Sequence, residues 1–181
     1  MSQTAASPSL PTIAFIGGGN MASAIIGGLI HQGQPASQIE VVEPWAEARE
    51  ALRKNYGIEA QAEAGAALQR AGIVVWAVKP QTFKDAAAQA KAHTQAALHL
   101  SVAAGIRSDS IAQWLGSERV VRTMPNTPAL VGKGMSALYA RPAVTAAERQ
   151  SVEAIMASTG EFLWVESEKQ LDAVTALSGP G

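Results

Sequence analysis

Residues 13–22 read Ile-Ala-Phe-Ile-Gly-Gly-Gly-Asn-Met-Ala, and the fold turns on this stretch. A short apolar run meets three glycines, and apolar residues at helical spacing follow as far as His31. Strand, glycine turn and helix together open a βαβ unit, and Gly17, Gly19 and Ala22 match G-x-G-x-x-[G/A] in that context. Each position has a physical reason. Gly17 allows the tight turn, Gly19 lets the backbone approach a pyrophosphate, and Ala22 keeps the helix close to the sheet. The amides of Gly19, Asn20 and Met21 would then aim hydrogen-bond donors and the positive helix end at the phosphates. Three consecutive glycines are costly to order, which favours a ligand-binding loop over a mere connector. Gly27 and Gly28, further along the same helix, read as close packing on the sheet rather than ligand contact.

Outward from this loop, β-branched runs alternate with Ala-rich stretches at helical period. Strands are expected at Thr12–Ile16, Ile39–Val42, Ile73–Val78, Leu98–Val102, Val120–Thr123, Met135–Tyr139 and Phe162–Val165, with a weaker one at Ile58–Ala60. Helices are expected at Asn20–His31, Trp45–Asn55, Gly65–Arg70, Gln81–Ala92, Ser108–Trp114, Thr145–Ala157 and Glu168–Leu177. Ser108 and Thr145 are candidate N-caps, and Thr145 with Glu148 fits a capping box. Gly57, Gly72, Gly116 and Gly160 fall where helices should end. The pattern specifies an α/β fold of Rossmann type, doubly wound, with a mainly parallel sheet covered by helices on both faces. Residues 1–10 are expected to be a flexible tail, 11–177 a dinucleotide-binding domain, and 178–181 the start of a connection.

Composition narrows the chemistry. The chain has 181 residues, with 14 Lys+Arg against 15 Asp+Glu, so it lacks the basic footprint of a nucleic-acid binder. It has no cysteine, which removes disulfides, thiolate metal sites and a thiol nucleophile. His31, His93 and His99 show no ligand spacing with a carboxylate, so no metal site is expected. The N-terminus has no signal-peptide pattern, and no apolar run approaches the ~20 residues of a membrane span. A cytoplasmic protein with no membrane partner is the expectation.

Four further segments lie at strand ends, where ligands of doubly wound folds bind. Glu43 ends the second strand, 24 positions after Gly19, where an acidic side chain accepts from the adenosine ribose and would repel a 2′-phosphate. Pro44-Trp45-Ala46 supplies no basic group and Arg49 lies a helical turn later, so the reading leans to NADH over NADPH. Ala77-Val78-Lys79-Pro80 follows the third strand. Ser101-Val102-Ala103-Ala104-Gly105 leaves room for a flat ring beside the backbone. Met124-Pro125-Asn126-Thr127-Pro128 holds Asn126 between two prolines, where its amide could orient a carboxamide or a substrate.

Residues 16–22, 77–81, 101–105, 124–129 and 172–179, in this order, closely resemble pyrroline-5-carboxylate reductase. The resemblance covers about residues 12–179. It implies reduction of L-1-pyrroline-5-carboxylate to L-proline, the last step of proline biosynthesis, with NADPH or NADH as hydride donor. It also implies that Ile16, Gly17, Gly18, Gly19, Asn20 and Met21 contact the dinucleotide together with Ala77, Val78, Lys79 and Pro80. Ala103 and Ala104 would lie beside the nicotinamide, and Asn126 would stand where cofactor meets substrate. A cofactor-contacting Asn of the family corresponds here to Ala64. The family continues into a helical domain that forms homo-oligomers and holds the substrate carboxylate. The chain ends at Ser178-Gly179-Pro180-Gly181 without it, so it is expected to be an inactive cofactor half on its own. No general acid is assigned, because a protonated imine needs mainly orientation and water exclusion. The rival readings are a β-hydroxyacid dehydrogenase and a non-catalytic dinucleotide-binding module.

Overall fold

The computed structural model describes residues 10–125 and 134–178. Its first strand shows why the sheet needs two covers. In β1 (Ile13–Ile16), Ile13 and Phe15 join one hydrophobic core while Ala14 and Ile16 join another on the opposite face. β3 (Ile73–Trp76) repeats the division, with Ile73 and Val75 on one side and Val74 and Trp76 on the other. Successive side chains of a strand point to opposite faces, so an all-apolar run demands helices above and below. α1 (Asn20–His31) and α5 (Ala146–Ala157) cover the first face through Ile25, Ile26, Leu29, Val152, Ile155 and Met156. α3 (Pro80–Ala90) and α4 (Ser108–Leu115) cover the second through Phe83, Ala87, Ala90, Ile111 and Leu115.

The remaining elements are β2 (Ile39–Val42), α2 (Ala46–Tyr56), β4 (Leu98–Ser101), β5 (Val120–Pro125), β6 (Gly134–Ala140), β7 (Gly160–Trp164) and α6 (Glu168–Ser178). The sheet order is β2-β1-β3-β4-β5-β6-β7. Every pairing is parallel except β5 with β6, which makes this the doubly wound, mainly parallel sheet expected from the sequence. Ile13 is in register with both Ile39 and Ile73, so β1, β2 and β3 end together at Ile16, Val42 and Trp76. The chain reverses its winding direction on either side of β1, and a crevice opens there.

Several local expectations change. Ile58–Ala60 forms no strand; the neighbouring Gln61 makes a single bridge to Val42 instead. The segment 66–70 is a 3₁₀ helix, as are Ala36–Gln38 before β2 and Lys91–His93 after α3. Ser108 is not an N-cap: Arg107 holds that position, and the Ser108 amide and hydroxyl both donate to Glu168. Gly57 and Gly116 are left-handed helix ends as expected, whereas Ser158 caps α5 and Gly160 opens β7. Gly72 has no positive φ; it is confined instead by Pro11, which an added Cβ would meet at 2.8 Å. The Thr145–Glu148 capping box forms in full, with bonds of 2.9 and 3.1 Å. Gly27 and Gly28 are close-packed, but against helices rather than the sheet: a Cβ at Gly28 would lie 2.4 Å from the Ser158 carbonyl oxygen at the end of α5, and one at Gly27 would lie 2.8 Å from the Tyr56 hydroxyl of α2.

One polar pair is sealed beneath α3. Trp76 Nε1 donates to His99 Nδ1 at 3.0 Å, and Trp76 stacks on Phe83 with ring centroids 4.9 Å apart. Burial, reinforced by the Arg119 charge, pushes the His99 pKa from 6.5 down to about 4. The folded chain therefore keeps His99 neutral over a range in which the unfolded chain protonates it. Stability is complete above pH 6.5 and declines as pH falls toward 4, at up to about 1.4 kcal/mol per pH unit from this one group. Urea midpoints of the wild type should fall between pH 7 and 5. His99→Gln should flatten that slope, and an unchanged slope would rule His99 out as its source.

Candidate functional site

The crevice is created by where the backbone of β1 goes after Ile16. Gly17 N–H donates to the Val42 carbonyl on one side, while Ala77 N–H donates to the Ile16 carbonyl on the other, both at 2.8 Å. Gly17 turns at φ +100°, and a Cβ there would sit 2.3 Å from the Ala77 carbonyl oxygen. This is a position that only glycine fits. Gly19 is under the opposite regime. It precedes α1 as an N-cap without a side-chain partner, and a Cβ added to it would meet no protein atom within 4 Å. Protein packing does not require glycine at 19; the N-cap position favours it, and the open space leaves room for another molecule to approach the backbone.

The resulting cleft has a volume of about 410 Å³. Ile16, Gly17 and Gly19 form its floor with Ala77, Val78 and Lys79 beside them. Glu43 and Pro44 close the β2 end, and Ala62 and Ala64 enter from the following loop. Ala64 thus occupies the wall but offers only a methyl group. The far wall is α3, through Thr82, Asp85, Ala86 and Gln89. Sequence reading missed that wall, although the spacing of 82, 85, 86 and 89 marks one helical face. Pro80 is the first residue of α3, behind the Lys79 N-cap, where a missing N–H costs nothing. Gly18, Asn20 and Met21 border the loop without lining the cleft.

Glu43 does more than stand at a strand end. Its Oε1 accepts the Gly18 N–H and its Oε2 accepts the Trp45 N–H, each at 2.8 Å. One carboxylate therefore ties the glycine loop to the turn after β2. Arg49 reaches back to the same turn, donating from Nη1 to the Glu43 and Pro44 carbonyls at 2.9 and 2.7 Å.

Ala103 and Ala104 follow β4, with Ala103 buried and Ala104 exposed, and neither borders the cleft. Asn126 lies outside the described residues. Nearby, the sequence concealed a buried polar clasp. Arg122 in β5, 2% exposed, donates to Glu168 Oε2 of α6 at 2.9 Å and lies 3.7 Å from Asp172. Ser108 donates from N and Oγ to the two oxygens of Glu168 at 2.7 Å, and Arg141 Nη1 donates to Ser108 Oγ at 3.0 Å. Burial would raise the Glu168 pKa, but the Ser108 donors and the Arg122 guanidinium hold the carboxyl below its ordinary value.

A family model described as NADP oxidoreductase coenzyme F420-dependent matches residues 12–105, the span that builds the cleft. The chain belongs to this family. It is also 46% identical over 175 residues to the pyrroline-5-carboxylate reductase of Pseudomonas aeruginosa, covering 96% of this chain and 64% of that protein. The solved structure of a pyrroline-5-carboxylate reductase from Coxiella burnetii superposes with a TM-score of 0.88 at 35% identity, over 95% of this chain and 65% of that one. A Plasmodium falciparum pyrroline carboxylate reductase with NADP bound gives 0.81 at 26% identity, over 94% and 63%. The chain thus spans about 64% of the length of the Pseudomonas relative. No described helix is long and apolar enough to cross a membrane.

The clasp gives the site a measurable foundation. Glu168→Ala leaves Arg122 buried beside β5 without its main partner and should lower unfolding free energy by roughly 3 kcal/mol in urea titrations. Adding Arg122→Met to Glu168→Leu should recover most of that loss, since the uncompensated charge is then gone.

Proposed function

We propose that this chain binds NADH or NADPH in the cleft for a reductase that converts L-1-pyrroline-5-carboxylate to L-proline. The observation that carries the reading is Gly19, a glycine with open space at its Cβ, set at the N-terminus of α1 over the cleft floor. The 46% identity to a pyrroline-5-carboxylate reductase over 96% of the chain supplies the substrate class. Residues 11–177 are the proposed dinucleotide-binding domain. The cytoplasm, where a diffusible cofactor meets an amino-acid precursor, is the proposed place of action, with copies of the full-length enzyme assembling together.

Bound there, the reduced nicotinamide supplies a hydride for the carbon of the C=N bond. The protein's task is to hold and orient. Gly19, Asn20 and Met21 offer free helix N-terminal amides for the pyrophosphate, since Gly18 N–H is already given to Glu43. Ile16, Gly17, Ala77, Val78 and Lys79, which line the cleft, and Pro80 at the start of α3 are assigned to the path of the dinucleotide toward the β4 end. Ala103 and Ala104 are assigned to the nicotinamide ring and Asn126 to its boundary with substrate. Orientation and water exclusion suffice for an imine that arrives protonated. The Glu43 carboxylate keeps a negative charge at the β2 end, and we assign a preference for NADH over NADPH on that ground.

Gly19→Ala should leave the urea midpoint in place while weakening NADH binding by roughly tenfold, the worth of a lost phosphate hydrogen bond. A shifted midpoint would mean that packing, not a ligand, sets the glycine. Glu43→Ser should narrow the gap between NADH and NADPH affinities in calorimetry, and an unmoved ratio removes Glu43 from coenzyme choice. NADH oxidation measured with pyrroline-5-carboxylate separates a reductase from a module that only holds nucleotide, which would bind without turnover.

A further inference from the structure

Trp45 is 62% exposed, more than any other large apolar side chain among the described residues. A solvated indole on a firmly held backbone is unusual enough to need a reason, since such rings dominate binding energetics when they are covered. Its surroundings supply one. Pro44, the residue before it, lines the cleft at the β2 end, and Trp45 itself is the extended N-cap of α2. The backbone of this turn is fixed from three sides. Glu43 Oε2 accepts the Trp45 N–H at 2.8 Å, and Arg49 grips the Glu43 and Pro44 carbonyls. Through its other oxygen, Glu43 joins the turn to Gly18 of the glycine loop.

The backbone that carries the ring is therefore geared to the loop that would hold the pyrophosphate, and only the side-chain torsions of Trp45 remain to be set. In a doubly wound fold the β2 end of the crevice takes the adenosine moiety. Glu43, Pro44, Ala62 and Ala64 line the cleft at that end, facing Thr82, Asp85 and Gln89 of α3, and Trp45 directly follows Pro44 at this rim. We propose that Trp45 is the adenosine-recognition residue of this chain, its indole closing over the purine as a stacking lid. The class of ligand is a purine nucleotide or dinucleotide. The preference is insensitive to which purine is bound, because stacking uses the ring face rather than its edge. The proposal rests on the cleft being a nucleotide site, and it adds a contact that the glycine loop and Glu43 do not provide.

The test uses the full chain titrated with NADH and with ADP-ribose, which lacks the nicotinamide and so cannot quench by energy transfer. Trp45→Ala should weaken both ligands by about tenfold in calorimetry, the scale expected for one lost base–aromatic stack. Trp45→Phe should retain most of the affinity, and both variants should keep the wild-type urea midpoint. ADP-ribose should quench part of the wild-type tryptophan emission, and that component should vanish in Trp45→Phe. Wild-type affinity in Trp45→Ala overturns the proposal and leaves the nucleotide reading standing. Equal losses in Phe and Ala, or a quench that survives in Trp45→Phe, overturn it as well. If the wild type binds neither ligand, the nucleotide reading falls and takes this proposal with it.

Discussion

The structure depends on the way β1 ends. Ile16 and Gly17 are the last points at which the backbone bonds to both neighbours, to Ala77 on one side and Val42 on the other. Beyond them α1 leaves toward one face of the sheet, and the strands on either side lead into α2 and α3. The crevice at this point therefore follows from the β2-β1-β3 order rather than being an added feature. The turn can be this tight only because Gly17 has no Cβ to strike Ala77. The remaining residues of the site take their positions from that contact.

Glu43 extends the same constraint outward. A carboxylate with its two oxygens on two backbone amides is well satisfied in a half-buried place, since each oxygen retains a lone pair for a further donor. This changes what an acidic residue after β2 means. It is a brace that ties the glycine loop to the turn after β2, and its place at the β2 end of the cleft is a consequence of the same bonds. Arg49 is held by the carbonyls of that turn rather than by the carboxylate, so the two charges sit side by side on one short segment.

Much of this architecture is legible in the sequence because it is made by local patterns. β1 and β3 are apolar through their length because both faces are covered, and for that reason they are readable as strands. Thr145 and Glu148 announce a helix start because the capping box is complete within four residues. Failures occur where the partner is remote. Ser108 has the composition of an N-cap, but Glu168, 60 residues away, claims both of its donors and moves the cap to Arg107. Ile58–Ala60 has β-branched character, yet the chain there makes only one bridge at Gln61 before turning. The α3 wall of the cleft was present as a spacing in the sequence, but nothing local says which helix face turns toward a ligand.

The two ends of the sheet's carboxyl edge are built by different means, and the difference bears on how a long ligand is held. At the β1–β2 end the groups are backbone amides and a loop, adaptable in detail and suited to phosphates and a purine of fixed shape. At the β4–β5 end a buried clasp joins Ser108, Arg122, Arg141 and Glu168, and pins α4 and α6 against β5. Ser101, the last residue of β4, is in register with Arg122. A reacting ring laid beside the residues after Ser101 would therefore rest on a part of the sheet whose backbone is locked by buried charge pairs, where displacement exposes an unpaired guanidinium to a low-dielectric interior. Rigidity there would matter most to a reaction in which two carbons must be held at a fixed separation and angle.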